Sequence, residues 1–143
     1  MSLDELETYL EGFKPAIAAL ASVEIGDEEE ILNRQNSRIK YPCMWVETPA
    51  VSLISTPPGR MFKLAITFLY DVPKKDRKQE RQRRSIALDI AEKAWTKLED
   101  DEETGLFQLD STRTEGDPIT KWSGDNDTGY RFELTLTTGR NDC

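Results

Sequence analysis

The chain has 143 residues, 37% of them apolar and 32% charged, with a formal net charge of −8; that is enough for one domain with its own core, and it excludes a disordered polyelectrolyte. Seven of the 19 basic residues lie between Lys74 and Arg84, which leaves 12 basic against 25 acidic elsewhere. A body of that sign repels a polyanion over most of its surface and is poorly suited to coating nucleic acid broadly, which leaves only the basic block for a local phosphate contact.

The first element is a helix. Ser2 and Glu5 have the S-x-x-E spacing of a capping box, and Leu3, Leu6, Leu10, Phe13, Ile17 and Leu20 step by threes and fours along one stripe. Pro15 lacks an N–H, so the spacing predicts a kink, or a stop near Gly12 and a restart. The acidic, polar run from Ala21 to Pro42 predicts an extended connection with a short strand, exposed to solvent. Strands follow at Cys43–Glu47 and Ala50–Ser55, separated by Pro49. After the turn "TPPGR", the run "MFKLAITFLYDV" places Phe62, Leu64, Ile66, Phe68 and Tyr70 on one face. Lys63, Ala65 and Thr67 lie on the other, which is apolar enough to be partly covered.

A long helix is predicted from near Pro73–Asp76 to Glu103. Ala87, Ile90, Ala91, Ala94, Trp95 and Leu98 form one apolar face, and the basic turns before them have nothing to bury and project past the core. Core packing is the plain account of Trp95. Gly105 ends the element. "LFQLDSTR" and "ITKWS" read as short strands about the turn "TEGDP". "YRFELTLTT" alternates Phe132, Leu134 and Leu136 against Arg131, Glu133 and Thr135. These elements predict one α+β domain over residues 1–143, with an antiparallel-rich or mixed sheet of four to five strands. An N-terminal helix and one long charged helix pack on it.

The absent chemistry is informative. There is no His, which removes the Ser–His and Cys–His couples and the commonest transition-metal ligand. Cys43 and Cys143 lie far apart, so neither a disulfide framework nor a zinc site is expected. Cys43 in "YPCMWVE" reads as a small core residue before a nucleophile. Asp125, Asp127 and Gly129 in "GDNDTG" miss the spacing of a calcium loop and read as a hairpin turn. No phosphate-binding glycine motif is present. The expectation is a protein that is not an enzyme, with no catalytic, metal or cofactor site. The acidic N-terminus has no signal-peptide pattern, and no apolar run nears the ~20 residues that span a bilayer. A soluble cytoplasmic protein without a membrane partner is expected.

The long helix carries its charges in reverse. A helix has partial positive charge at its N-terminus and partial negative charge at its C-terminus, yet the block at Lys74–Arg84 opens this one and "EDDEE" closes it. Three accounts compete. The tip is simply solvated, with Asp76 and Glu80 offsetting part of the repulsion. Or it contacts phosphate. Or a copy placed head to tail brings a basic end against an acidic one, in a heterologous contact that closes into a ring when the rotation allows.

The layout resembles the small tail terminator, or tail completion, proteins of long-tailed bacteriophages. The residues that carry the likeness are "SLDELETYLEGF", the Pro-marked strand "YPCMWVETPAVSL", "MFKLAITFLYDVP", the long charged helix, and "GDNDTG" leading into "YRFELTLTT". The run "VEIGDEEEILNRQNSRIK" is longer and more acidic than that layout requires. The resemblance implies a structural protein of the virion, assembled in the bacterial host cytoplasm. It would form a hexameric ring that caps the tail tube and joins it to the head. Its partners would be further copies of itself, the tail tube protein and a head-completion or neck protein, and DNA would pass through the lumen without specific binding. Arg77, Lys78, Arg81 and Arg84, with Glu99, Asp100, Asp101 and Glu102, are the candidate contacts between neighbours. The alternatives are a neck or head–tail connector subunit, and a nucleic-acid-binding module that works through the basic tip.

Overall fold

The computed structural model describes residues 1–26, 39–72, 76–110, 114–122 and 127–139. Two helical segments come first, α1 (Leu3–Glu11) and α2 (Phe13–Ala16), then the strands β1 (Ser22–Ile25), β2 (Cys43–Val46), β3 (Ala50–Ser55) and β4 (Pro58–Asp71). The long helix α3 (Arg77–Glu103) follows, and β5 (Gln108–Leu109), β6 (Gly116–Trp122) and β7 (Asp127–Gly139) complete the chain. The fold is α+β, as expected, but the sheet has seven strands in place of four to five. The short strands expected in the run before Cys43, at "LFQLDSTR" and at "ITKWS" all form, as β1, β5 and β6, and their pairing into the one sheet takes it past the expected total. Among the described residues no helix is long and apolar enough to cross a membrane.

The spine is the antiparallel pair of β4 and β7, in register from Gly59 opposite Gly139 to Asp71 opposite Asp127. On the far side of β4, β2 pairs with Ile66–Leu69 and β3 with Pro58–Lys63. β1 adds parallel to β2 at the margin. On the far side of β7, β6 and β5 share the edge.

Both helices cover one face of this sheet. Leu6, Leu10, Phe13, Ile17 and Leu20 from the N-terminal segment join Ile90, Ala94 and Leu98 of α3 over Met44, Val46, Phe62, Leu64, Ile66, Leu134 and Leu136. Each such side chain contributes about 1.5–3 kcal/mol by leaving water. Leu3, assigned to the same stripe from its spacing, is instead exposed. Ser2 accepts the backbone N–H of Glu5 at 3.1 Å, so the cap forms. The helix breaks at Gly12 and resumes at Phe13, two residues earlier than Pro15 suggests. On the opposite face, Cys43, Trp45 and Leu69 are covered by Ile39, Tyr41 and Ile119. The second face of the clearest strand is therefore partly covered, as its composition implies. The first half of the turn expected at "GDNDTG", residues 124–126, lies outside the described residues, and the second half is strand. Asp127 belongs to β7 and is buried.

β7 crosses β4 closely at Gly129, where a Cβ would stand 1.7 Å from the Phe68 carbonyl oxygen. That oxygen is backbone in the middle of the sheet and has no room to move. Gly129→Ala is expected to destabilise the protein by about 3 kcal/mol, read as a lowered denaturation midpoint in urea.

Candidate functional site: the two ends of the long helix

The helix α3 has 27 residues, which at 1.5 Å per residue makes it about 40 Å long. Its middle is anchored by Ala87, Ile90, Ala91, Ala94 and Leu98. The three alanines let the axis lie close to β4 and β7. Mostly polar turns extend from both ends of that contact.

At the basic end Asp76 is the N-cap, its carboxylate accepting the Lys78 backbone N–H at 3.0 Å. Arg77, Lys78 and Arg81 are exposed, and among the described residues none of them makes an ion pair. Arg84 behaves otherwise. Its guanidinium donates to Glu80 at 2.7 Å and to the Thr128 hydroxyl of β7 at 3.1 Å, which secures this turn to the sheet. Arg83, which the sequence did not single out, stacks over Tyr70 at 4.1 Å and bonds Asp71 at 3.0 Å. The projecting tip is thus shorter than the basic run suggests, because its second half docks on the ends of β4 and β7. Lys74 and Lys75 lie outside the described residues.

At the acidic end Glu99 and Asp100 are exposed. Asp101 is held inside the chain, accepting the Tyr9 hydroxyl at 2.7 Å and the Lys97 ammonium at 2.9 Å. The carboxylate of Glu102 folds forward to accept the backbone N–H of Leu109. Of the eight residues proposed from the sequence, Arg77, Lys78, Arg81, Glu99 and Asp100 therefore remain directed at solvent. Arg84, Asp101 and Glu102 are engaged within their own chain. Lys97–Asp101 is an i,i+4 pair and was legible in the sequence. Tyr9 was not, since it reaches α3 from α1, where it also stacks edge-on with Phe13 and Phe107.

The Tyr9–Asp101–Lys97 cluster shows how the chain tolerates an acid near a helix C-terminus. Burial favours the neutral acid, yet the bonds from Lys97 and Tyr9 outweigh it and hold the Asp101 carboxyl below its ordinary range. Burial and the Asp101 carboxylate push the Tyr9 phenol far above its usual value, so it stays a donor. Cys43, fully buried, has its thiol pushed up to about 12, chiefly by burial. It remains a protonated packing group.

Concavities lie on both faces of the sheet. A groove of about 410 Å³ runs between α3 and the sheet, lined among others by Phe68, Leu88, Trp95, Phe132 and Leu134. A more polar trough on the opposite face is lined by Glu47, Lys63, Asp110 and Glu133. Arg131 spans Glu47 and Glu133 there at 2.8 Å each. Among the described residues no three of His, Cys, Asp or Glu gather as metal ligands would.

No protein-family model matches this chain, and no curated protein matches it.

Asp101→Asn is expected to cost about 1.5 kcal/mol at neutral pH, the lower end of the usual worth of a hydrogen bond to a charged group. The wild-type carboxyl titrates below its unfolded value of 3.8. Its contribution is therefore complete above that value and lost as the pH falls through the folded one. Urea melts of the two proteins should differ at pH 7 and draw together as the pH is lowered beneath 3.8.

Proposed function

We propose that the protein is a structural assembly subunit, a tail terminator or close relative of one, which acts by joining copies into a ring that caps a phage tail tube. The observation that carries this reading is the pair of opposite, uncompensated charges at the two ends of α3. Arg77, Lys78 and Arg81 face solvent without an ion-pair partner among the described residues, and Glu99 and Asp100 do so at the other end. About 30 Å of rigid helix keeps them apart, so they do not neutralise each other within one molecule.

Each end also sits at the helix pole that repels it. A contact between copies that puts the basic tip of one against the acidic end of the next relieves both penalties. Because the two surfaces differ, the contact has a direction and builds a ring or a filament. The strongly acidic remainder of the chain suits a ring whose lumen passes DNA without retaining it. The layout likeness to tail terminators supplies the ring and its partners, the tail tube and the head-side neck. A neck or connector subunit would use the same contacts against a different neighbour.

Replacing Arg77 and Lys78 with Glu sets two effects against each other. Carboxylates in the first helical turn favour the isolated fold, by roughly 0.5 kcal/mol each. The same change removes the attraction between copies. The double variant should melt at or above the wild-type temperature, yet associate more weakly by sedimentation at ~0.05 M salt, where screening is weak. Wild-type association that strengthens with salt, or a variant that associates equally well, would refute the electrostatic contact. Loss of binding to a short duplex in the variant, with association unchanged, would favour the nucleic-acid alternative.

A further inference from the structure

The hairpin of β3 and β4 is out of keeping with the rest of the molecule. From Thr48 to Gly59 there is no charged residue, in a chain that is 32% charged. Every residue of β3 except Ile54 is exposed, and Leu53 is 71% and Val51 48% exposed. These two lie opposite Arg60 and Phe62, on the helix-bearing side of the sheet but beyond the helices that cover it. β3 pairs only with β4 among the described residues, so its outer edge is open as well. Natural edge strands are usually blunted by charge, proline or a bulge. Within Ala50–Ser55 the sequence offers none of these.

The groove beside α3 has the complementary character. Leu88 and Trp95 line it from the helix, Phe68, Phe132 and Leu134 from the sheet. Glu92, Thr96 and Thr114 are among the few polar residues there. Its position matters as much as its chemistry. Ile66 and Phe68 of β4, Phe132 and Leu134 of β7 and Thr114 ahead of β6 line it, so the groove runs over the β4–β7 ladder toward β6. The hairpin uses the other end of β4, Pro58–Lys63, and the edge away from β7. The uncovered apolar hairpin and the apolar groove thus occupy separate parts of one sheet.

We infer that the β3–β4 hairpin of one copy seats Val51 and Leu53 in the groove between α3 and β7 of the next. Charge selects a second copy as the occupant. The charged residues of the paired hairpin are basic, Arg60 opposite Leu53 and Lys63 opposite Ala50, and the charged residue that lines the groove is Glu92, so one chain carries a donor and a receptor of complementary sign. A donor and a receptor at separate places on one chain also repeat from copy to copy, whereas a two-fold contact would pair like with like and stop. The inference rests on the assembly reading above, and adds to it an apolar contact that supplies affinity where the charged ends supply direction.

Site-directed cross-linking tests it. In full-length protein carrying Cys143→Ser, Leu53→Cys is made in one preparation and Leu88→Cys in another, and mild oxidation is applied to each alone and to their mixture. Cys43 is buried and stays out of the reaction. The expected result is a disulfide-linked dimer in the mixture and little in either alone. Efficient Leu53→Cys homodimers would show instead that hairpins pair about a two-fold axis, and no product in any tube would equally overturn the docking. Sedimentation of wild type and Leu53→Asp separates the two ideas. Leu53→Asp, at a mostly exposed position, should keep the wild-type melting curve and raise the dissociation constant roughly tenfold or more. Wild-type assembly that survives Leu53→Asp unchanged refutes the hairpin contact and leaves the assembly reading standing. A wild-type monomer at every concentration refutes both.

Discussion

Everything in this fold hangs on the antiparallel ladder between β4 and β7. Thirteen consecutive residue pairs hold the two strands together, and each of the two lends its free edge to two shorter strands. The closeness of the crossing at Gly129 shows how little slack the pair has. Because register decides which side chains face the helices, the ladder also places the apolar row Phe62, Leu64, Ile66, Leu134 and Leu136 under α3. The middle of the helix is therefore fixed, and its ends are left to extend beyond it.

That arrangement gives the reversed charges their meaning. A basic N-terminal turn and an acidic C-terminal turn cost the monomer stability, and the chain recovers only part of it. Arg83 and Arg84 are tied to Asp71, Glu80 and Thr128, and Asp101 to Tyr9 and Lys97. Arg77, Lys78, Arg81, Glu99 and Asp100 are left facing water. The division is spatial. Charges within reach of the sheet or of α1 find partners, and those farther out do not. A docked hairpin and matched helix ends would act together, one through apolar burial and the other through orientation.

Much of this was legible in the residues themselves. The cap at Ser2, the break near Gly12, the Ala50–Ser55 strand and the apolar face of α3 each follow from local chemistry, and each forms. What escaped was set by distance along the chain. The stack of Arg83 on Tyr70 joins two elements, as does the bond from Tyr9 to Asp101, and no periodicity announces either one. The tip looked longer than it is because a run of Arg and Lys does not reveal which members will find Asp71 or Thr128. The two-residue β5 falls inside the short strand read from "LFQLDSTR", but its bounds were hidden, since pairing with Thr137 and Leu136 defines them. Exposure of Leu53 was equally hidden, because "AVSLIS" alternates like any half-buried strand.

The central claim is that opposite ends of α3 meet between molecules, and a charge exchange tests it most directly. One variant carries Glu at 77, 78 and 81, so that both its helix ends are acidic; a second carries Lys at 99 and 100, so that both are basic. Sedimentation velocity at low salt is run on each alone and on an equal mixture. The account predicts that each alone stays dispersed while the mixture assembles, since only then does every basic end find an acidic one. Assembly by either variant alone to the wild-type extent, or a mixture no larger than its parts, would contradict it.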